Sequence, residues 1–511
     1  MNSPRRFAAT AIAALSAATL IAGCAGSDQG STGAGLASGR GDNYYSTGQD
    51  SGAIPGAEYP EPVTGQELVE NDWVDVAEQP VSTFSSDVDT ASYTMIRSLL
   101  NSGDWNEGMR DQVRIEEMLN YFDYAYEAPG QDSERPFNVD VKLGAAPWDA
   151  GHMLARIGVK AKEAWPTTEG NNLVLLLDTS GSMDQADKLP LLVKSFKLLT
   201  ERLTDRDRIS VVTYAGTYTV ALEGVRGTET DLIVETLESL HSAGSTAGSD
   251  ALAQAYRLAE DHFIEGGNNR ILLATDGDFN VGPSSTDALK EQITQARDNG
   301  VFISVFGFGM HNHDALMETI ADNGNGNYFY IDNLNEAERA LVRQFDATMF
   351  TVAKDLKLQV AFNPARVARY RLVGYENRVL QNEDFEDDSV DAGDVGAGAT
   401  VTALYELIPA DGPKDGDDWM TVSTRYKDPA GTESKQDDFP VPQSGADGAR
   451  DKDWRWAAAV AEFGMILRDS PFKADASLGE VKALAEDSLG EDLFGLRAEF
   501  LALVDRYERT L

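Results

Sequence analysis

Residues 173–177 read Leu-Val-Leu-Leu-Leu, and the run stops at Asp178-Thr179-Ser180-Gly181-Ser182. A strand with one wet face alternates apolar and polar residues. An unbroken apolar run suits a strand buried on both faces, as in a parallel sheet whose crossover helices cover it. The surrounding sequence agrees. Strands read at 173–177, 209–214, 219–222, 271–274, 301–306 and 328–331. Helices read near 188–204, 229–241, 249–264, 286–299, 313–322 and 334–348. Strands alternating with helices imply βαβ units, right-handed crossovers and a Rossmann-like, doubly wound α/β domain over 166–350. The close pair at 209–222 suits a single antiparallel hairpin.

The flanks read differently. Residues 76–165 suggest a small α+β region. Asp89 or Thr90 can cap a helix carrying Tyr93, Ile96, Leu99 and Leu100, and a second helix carries Val113, Ile115, Met118, Leu119 and Phe122. Strands follow at 137–143 and 153–159. Residues 351–445 are β-rich, with strands at 356–362, 367–373, 399–408 and 420–426. Residues 446–511 are helical at 452–468 and 478–511, with Trp454, Trp456, Val460, Phe463, Ile466 and Leu467 as a buried stripe. The acidic run Glu383 to Asp394 reads as a solvated loop.

Charge narrows the functional classes. The net charge is −41, from 84 acidic against 43 basic residues. Binding to nucleic acid needs a field of Lys and Arg, so it is not expected. The only cysteine is Cys24, which excludes an intramolecular disulfide. Arg5 and Arg6 precede a short apolar segment that ends Leu20-Ile21-Ala22-Gly23-Cys24. This resembles the bacterial lipobox. It implies a signal peptide over 1–23, lipidation of Cys24, and an exported protein anchored to the cell membrane or envelope, facing outside the cytoplasm. Residues 24–75, rich in Gly and Ser, read as a flexible tether. The Arg40-Gly41-Asp42 tripeptide in it is set aside as a chance match. No other segment is long and apolar enough to span a bilayer.

In an open α/β sheet, ligands bind beyond the carboxyl ends of the strands at a topological switch point. Three segments are placed to meet there: Asp178 to Ser182, Gly244-Ser245-Thr246-Ala247-Gly248, and Thr275-Asp276-Gly277. They offer Asp178, Ser180, Ser182, Thr246 and Asp276. All are oxygen donors, which favours Mg²⁺, with Mn²⁺ or Ca²⁺ as alternatives, over zinc or copper. Two carboxylates do not saturate an octahedral ion, so water or a partner's Asp or Glu completes the shell.

This set resembles the metal-ion-dependent adhesion site (MIDAS) of von Willebrand factor type A (VWA) domains: Asp-x-Ser-x-Ser, a later Thr in a Gly-rich loop, and an Asp in Thr-Asp-Gly. The resemblance implies direct ligation by Asp178, Ser180, Ser182 and Thr246, with Asp276 often acting through water. Residues 82–93, 271–282 and Gly324 to Tyr328 further resemble the YfbK-type group of bacterial VWA lipoproteins, over about residues 80–511.

Other signals are set aside. Asp276-x-Asp278-x-Asn280 begins like an EF-hand loop, but Val281 and Asp287 stand where Gly and Glu are required. His311 and His313 read as the capped start of a helix, with partner recognition as the alternative. No P-loop, dinucleotide fingerprint or His-Glu-x-x-His is present. The expected function is non-enzymatic: a membrane-anchored lipoprotein that binds an acidic protein ligand through a metal. The alternatives are an accessory factor for envelope assembly that docks a multiprotein complex, and a metal-dependent hydrolase.

Overall fold

The computed structural model describes residues 68–86, 89–163, 169–244, 248–277, 286–309, 314–390, 392–412, 418–429, 431–442, 448–492 and 494–511. Cys24, Arg40 to Asp42, Thr246, Asp278, His311 and His313 lie outside them.

The apolar run forms the strand Asn171–Asp178, every residue of which is buried. It lies inside a six-stranded sheet ordered Tyr328–Ile331, Val301–Phe308, Asn268–Thr275, Asn171–Asp178, Arg208–Ala215, Thr217–Arg226. All pairings are parallel except the last, a hairpin. Alternate side chains of the run enter opposite cores. Leu173, Leu175 and Leu177 join one, and Val174 and Leu176 join the other. Helices cover both faces, giving the doubly wound α/β architecture.

From Asn171–Asp178 the chain first adds Arg208–Ala215 on one side, then crosses to add Asn268–Thr275 on the other. The strand order therefore reverses between Asn171–Asp178 and Asn268–Thr275, which run parallel with Leu177 opposite Ala274. A crevice opens beyond the carboxyl ends of such a pair.

The flanks fold together around this domain. One antiparallel sheet is ordered Val74–Asp75, Val367–Val373, Thr400–Pro409, Met153–Ala161, Phe137–Ala145. A second is ordered Val379–Leu380, Val81–Ser85, Thr351–Phe362, Met420–Lys427, Ser434–Val441. Their inner faces share one core that includes Phe84, Ile157, Leu358, Tyr405 and Val422. Strands from before and after the α/β domain thus complete one β-sandwich. The helices of both flanks also share a core, where Trp456 packs edge-on against Phe122 at 4.9 Å and Phe500 at 5.2 Å.

A buried charge network joins the parts. Arg97, on the helix Ala91–Ser102, donates to Asp332 at 2.8 and 2.5 Å, to Glu336 at 3.0 Å, to the Tyr121 hydroxyl at 2.6 Å and to Glu499 at 3.0 Å. Arg339 donates to Glu336 at 2.8 Å and to the Thr90 hydroxyl at 2.7 Å. Asp332, Glu336 and Arg339 close the α/β domain, whereas Glu499 lies on the C-terminal helix Leu496–Glu508.

Three local expectations differ from the structure. Thr90 stands at the N-cap of the helix Ala91–Ser102 but makes no capping bond through its side chain. Asp89 instead accepts from the Tyr328 N–H at 3.1 Å, and Thr90 accepts from Arg339. Residues 478–511 form two helices, Leu478–Asp487 and Leu496–Glu508, because Gly490 and Gly495 take left-handed conformations between them. The run Glu383 to Asp394 is partly structured: Asn382–Phe385 is a 3₁₀ turn, and Asp388 pairs with Arg425 at 2.8 Å.

Candidate metal-binding site

Asp178 ends its strand, fully buried. Its Oδ1 accepts from the Ser180 N–H at 2.8 Å, and its Oδ2 accepts from the Thr275 hydroxyl at 3.2 Å. The first bond folds the loop into a tight turn, which Asp favours because its short carboxylate reaches the backbone two residues on. The turn brings the Ser180 and Ser182 hydroxyls together, with their oxygens 2.9 Å apart.

Asp276 follows the neighbouring strand Asn268–Thr275 and is buried as well. The Gly277 N–H donates to the Thr275 hydroxyl at 3.2 Å, so Thr275 braces both carboxylate loops. Ala243 and Gly244, which lead into the third loop, lie against the first. The Gly181 N–H donates to the Gly244 carbonyl at 3.1 Å, and the Ala243 N–H to the Thr179 carbonyl at 2.8 Å. Asp178, Ser180, Ser182 and Asp276 are therefore brought to one crevice, and the loop leading to Thr246 lies against it.

The electrostatics suit a cation. Burial pushes the Asp178 carboxyl up to about 6, partly opposed by the Ser180 N–H, with nearby Asp276 adding to the rise. A buried carboxylate that costs this much to ionise gains from an adjacent positive charge. Among the described residues no group of three or more His, Cys, Asp or Glu is placed to hold a metal. The donors here are instead two carboxylates with hydroxyls, all hard oxygen, a set that fits Mg²⁺ or Mn²⁺.

One residue of the site is not evident from sequence. Lys188, just before the helix Leu189–Thr200, has a buried side chain whose Nζ donates to Asp276 Oδ2 at 2.9 Å and to the Ser182 carbonyl at 3.0 Å. In sequence it reads as an ordinary helix-start lysine. Two signals point to it: Pro190 in the first helical turn fixes where the helix begins, and Lys188 lies only six residues past Ser182.

The fold and these loops define a VWA domain, and the model described as "von Willebrand factor type A domain" matches residues 172–344. Two more models match the flanks: "von Willebrand factor" at 64–156 and "Uncharacterized protein YfbK, C-terminal" at 347–510. "Uncharacterized protein YfbK" of Escherichia coli (strain K12) is 40% identical over 467 residues, covering 86% of this chain and 80% of that protein. The chain belongs to this family of YfbK-type bacterial VWA proteins. It is also similar to "Uncharacterized protein sll0103" of Synechocystis, 33% identical over 171 residues, 32% of this chain and 39% of that protein. Among solved structures, a von Willebrand factor type A protein from Catenulispora acidiphila is 19% identical, covers 72% of this chain and 90% of its own, and gives a TM-score of 0.41. A VWA domain suggests a role in protein–protein interaction or adhesion.

Proposed function

We propose that this protein captures a protein partner through a divalent metal, Mg²⁺ in the first instance, held by Asp178, Ser180 and Ser182, with Thr246 and Asp276 completing the protein's share. The observation that carries this reading is the buried Asp178 carboxylate beside two converging hydroxyls at the sheet's switch point. When bound, the metal supplies an electrophilic point that accepts a carboxylate oxygen. The chain's own residues do the rest. The Ser180 N–H and Thr275 hydroxyl orient Asp178, and Lys188 orients Asp276. With few protein carboxylates around the ion, an Asp or Glu of the partner completes the shell. We assign no catalytic role to Ser180 or Ser182, since hydroxyls engaged as metal ligands are poor nucleophiles.

In this reading Cys24 carries a lipid anchor that displays the domain outside the cytoplasm; the tether expected over 24–75 is too long at its end, because Asn71 bonds the Leu372 and Gly374 carbonyls and Val74–Asp75 pairs with Val367–Val373. Among the described residues no helix is long and apolar enough to cross a membrane. Affinity capture from a bacterial envelope extract tests the proposal. A partner retained in Mg²⁺ should be lost in EDTA and with Asp178→Ala. Equal capture under all three conditions would refute it.

A further inference from the structure

We propose that Lys188 is a fixed internal cation of the metal site, which weakens metal binding while keeping the bound ion attractive to an acidic ligand. The inference rests on the assignment of Asp178, Ser180 and Ser182 as metal ligands, and it concerns how that site is tuned.

Lysine is almost never fully buried unless it is paired. The Lys188 side chain is 1% exposed, and its ammonium reaches both carboxylate loops, Asp276 Oδ2 on one and the Ser182 carbonyl on the other. Its route is built into the backbone. The stem passes Gly309, just beyond the strand Val301–Phe308, where a Cβ would lie 2.5 Å from Lys188 Cε. Gly309 also has φ +73°, a conformation that side chains other than glycine's disfavour. Position 309 thus leaves a channel of the right width for the lysine stem.

The consequence is a charge count. Asp178 and Asp276 bring two negative charges when ionised, and Lys188 returns one positive charge. A divalent ion then leaves the occupied site at +1, whereas the same site without Lys188 would be neutral. Repulsion from the ammonium lowers affinity for the metal. The residual positive charge, beside the buried Asp178 and Asp276, draws a carboxylate to the ion. Lys188 also holds Asp276 by Oδ2, which restrains that carboxylate from closing directly onto the metal. Metal affinity is exchanged for ligand affinity.

Mn²⁺ titration followed by electron paramagnetic resonance tests this on the full chain, comparing wild type, Lys188→Met, Lys188→Arg and Asp178→Ala. Lys188→Met should bind Mn²⁺ at least tenfold more tightly than wild type, and Lys188→Arg should stay within about threefold of it. Unchanged or weaker binding by a folded Lys188→Met overturns the proposal. Should circular dichroism show that variant to be unfolded, Gly309→Ala, which drives the stem out of its channel, must tighten binding in the same direction, and failure to do so is equally decisive against it. Wild-type Mn²⁺ binding that Asp178→Ala leaves intact would instead overturn the site assignment itself, and Lys188's role with it.

Discussion

Arg97→Met tests whether the VWA domain is locked to its flanks by buried charge. Arg97 is 1% exposed and bonds groups from three parts of the chain: Tyr121 from the N-terminal helices, Asp332 and Glu336 from the end of the VWA domain, and Glu499 from the C-terminal helix. Methionine fills much of the same volume without the charge. Asp332, whose carboxyl is raised by burial and pulled back down by Arg97, is then left buried and unneutralised. Removing one partner of a buried ion pair costs about 3–5 kcal/mol, because the remaining charge has lost its compensation. The Glu499 contact adds little, since that side chain is 35% exposed. The expected loss is therefore about 4 kcal/mol, most of it from the Asp332 side. Without Arg97 the Asp332 carboxyl rises further, so the loss should be larger at pH 8 than at pH 5. Urea denaturation of wild type, Arg97→Met, Asp332→Asn and the double variant measures it. The double variant should be more stable than the sum of the single losses predicts, because a neutral amide in place of the Asp332 carboxylate no longer needs the guanidinium. A loss below about 1 kcal/mol for Arg97→Met, or strict additivity in the double variant, would mean that buried charge does not lock these parts together.

Further outcomes follow from the same structure. Burial pushes the Glu462 carboxyl from 4.5 up to about 7, so the stability its protonated form contributes is lost as pH climbs through that window, by at most about 3 kcal/mol. Glu462→Gln should flatten the fall in urea midpoint between pH 5 and 8, and a slope equal to wild type would count against it. At Gly326 a Cβ would lie 1.8 Å from the Ile303 carbonyl, so Gly326→Ala must move backbone and should cost about 2 kcal/mol or more by thermal melting. Leu175→Ala, in the middle of the central strand, should cost about 2–5 kcal/mol in the same assay.

Much of the α/β domain was legible because its strands are buried on both faces, and an unbroken apolar run such as Leu173 to Leu177 fits few positions outside a doubly covered sheet. The candidate site stands out for a related reason: hard-oxygen residues stand immediately after two such runs, at Asp178 and Asp276. The sandwich was not. Alternation marks Met153–Ala161 as a strand, but no local pattern shows that it lies between Phe137–Ala145 and the distant Thr400–Pro409. Ser434–Val441 escaped because it is an edge strand of mostly polar residues, Ser-Lys-Gln-Asp-Asp-Phe-Pro-Val, whose stabilisation comes from pairing with Met420–Lys427. Lys188 escaped because burial of a lysine depends on a channel formed more than a hundred residues away, at Gly309. The Gly324 to Tyr328 segment, singled out by resemblance, proves to be tight backbone packing under Ile303 and Asp89.

In the proposed site Asp178 and its neighbours hold a metal. Isothermal titration of Mg²⁺ into the folded protein tests it most directly. One ion should bind per chain in the wild type, with no measurable binding by Asp178→Ala whose circular dichroism matches wild type. Saturable one-to-one binding that survives this substitution, or no binding by the wild type to either Mg²⁺ or Mn²⁺, would contradict it.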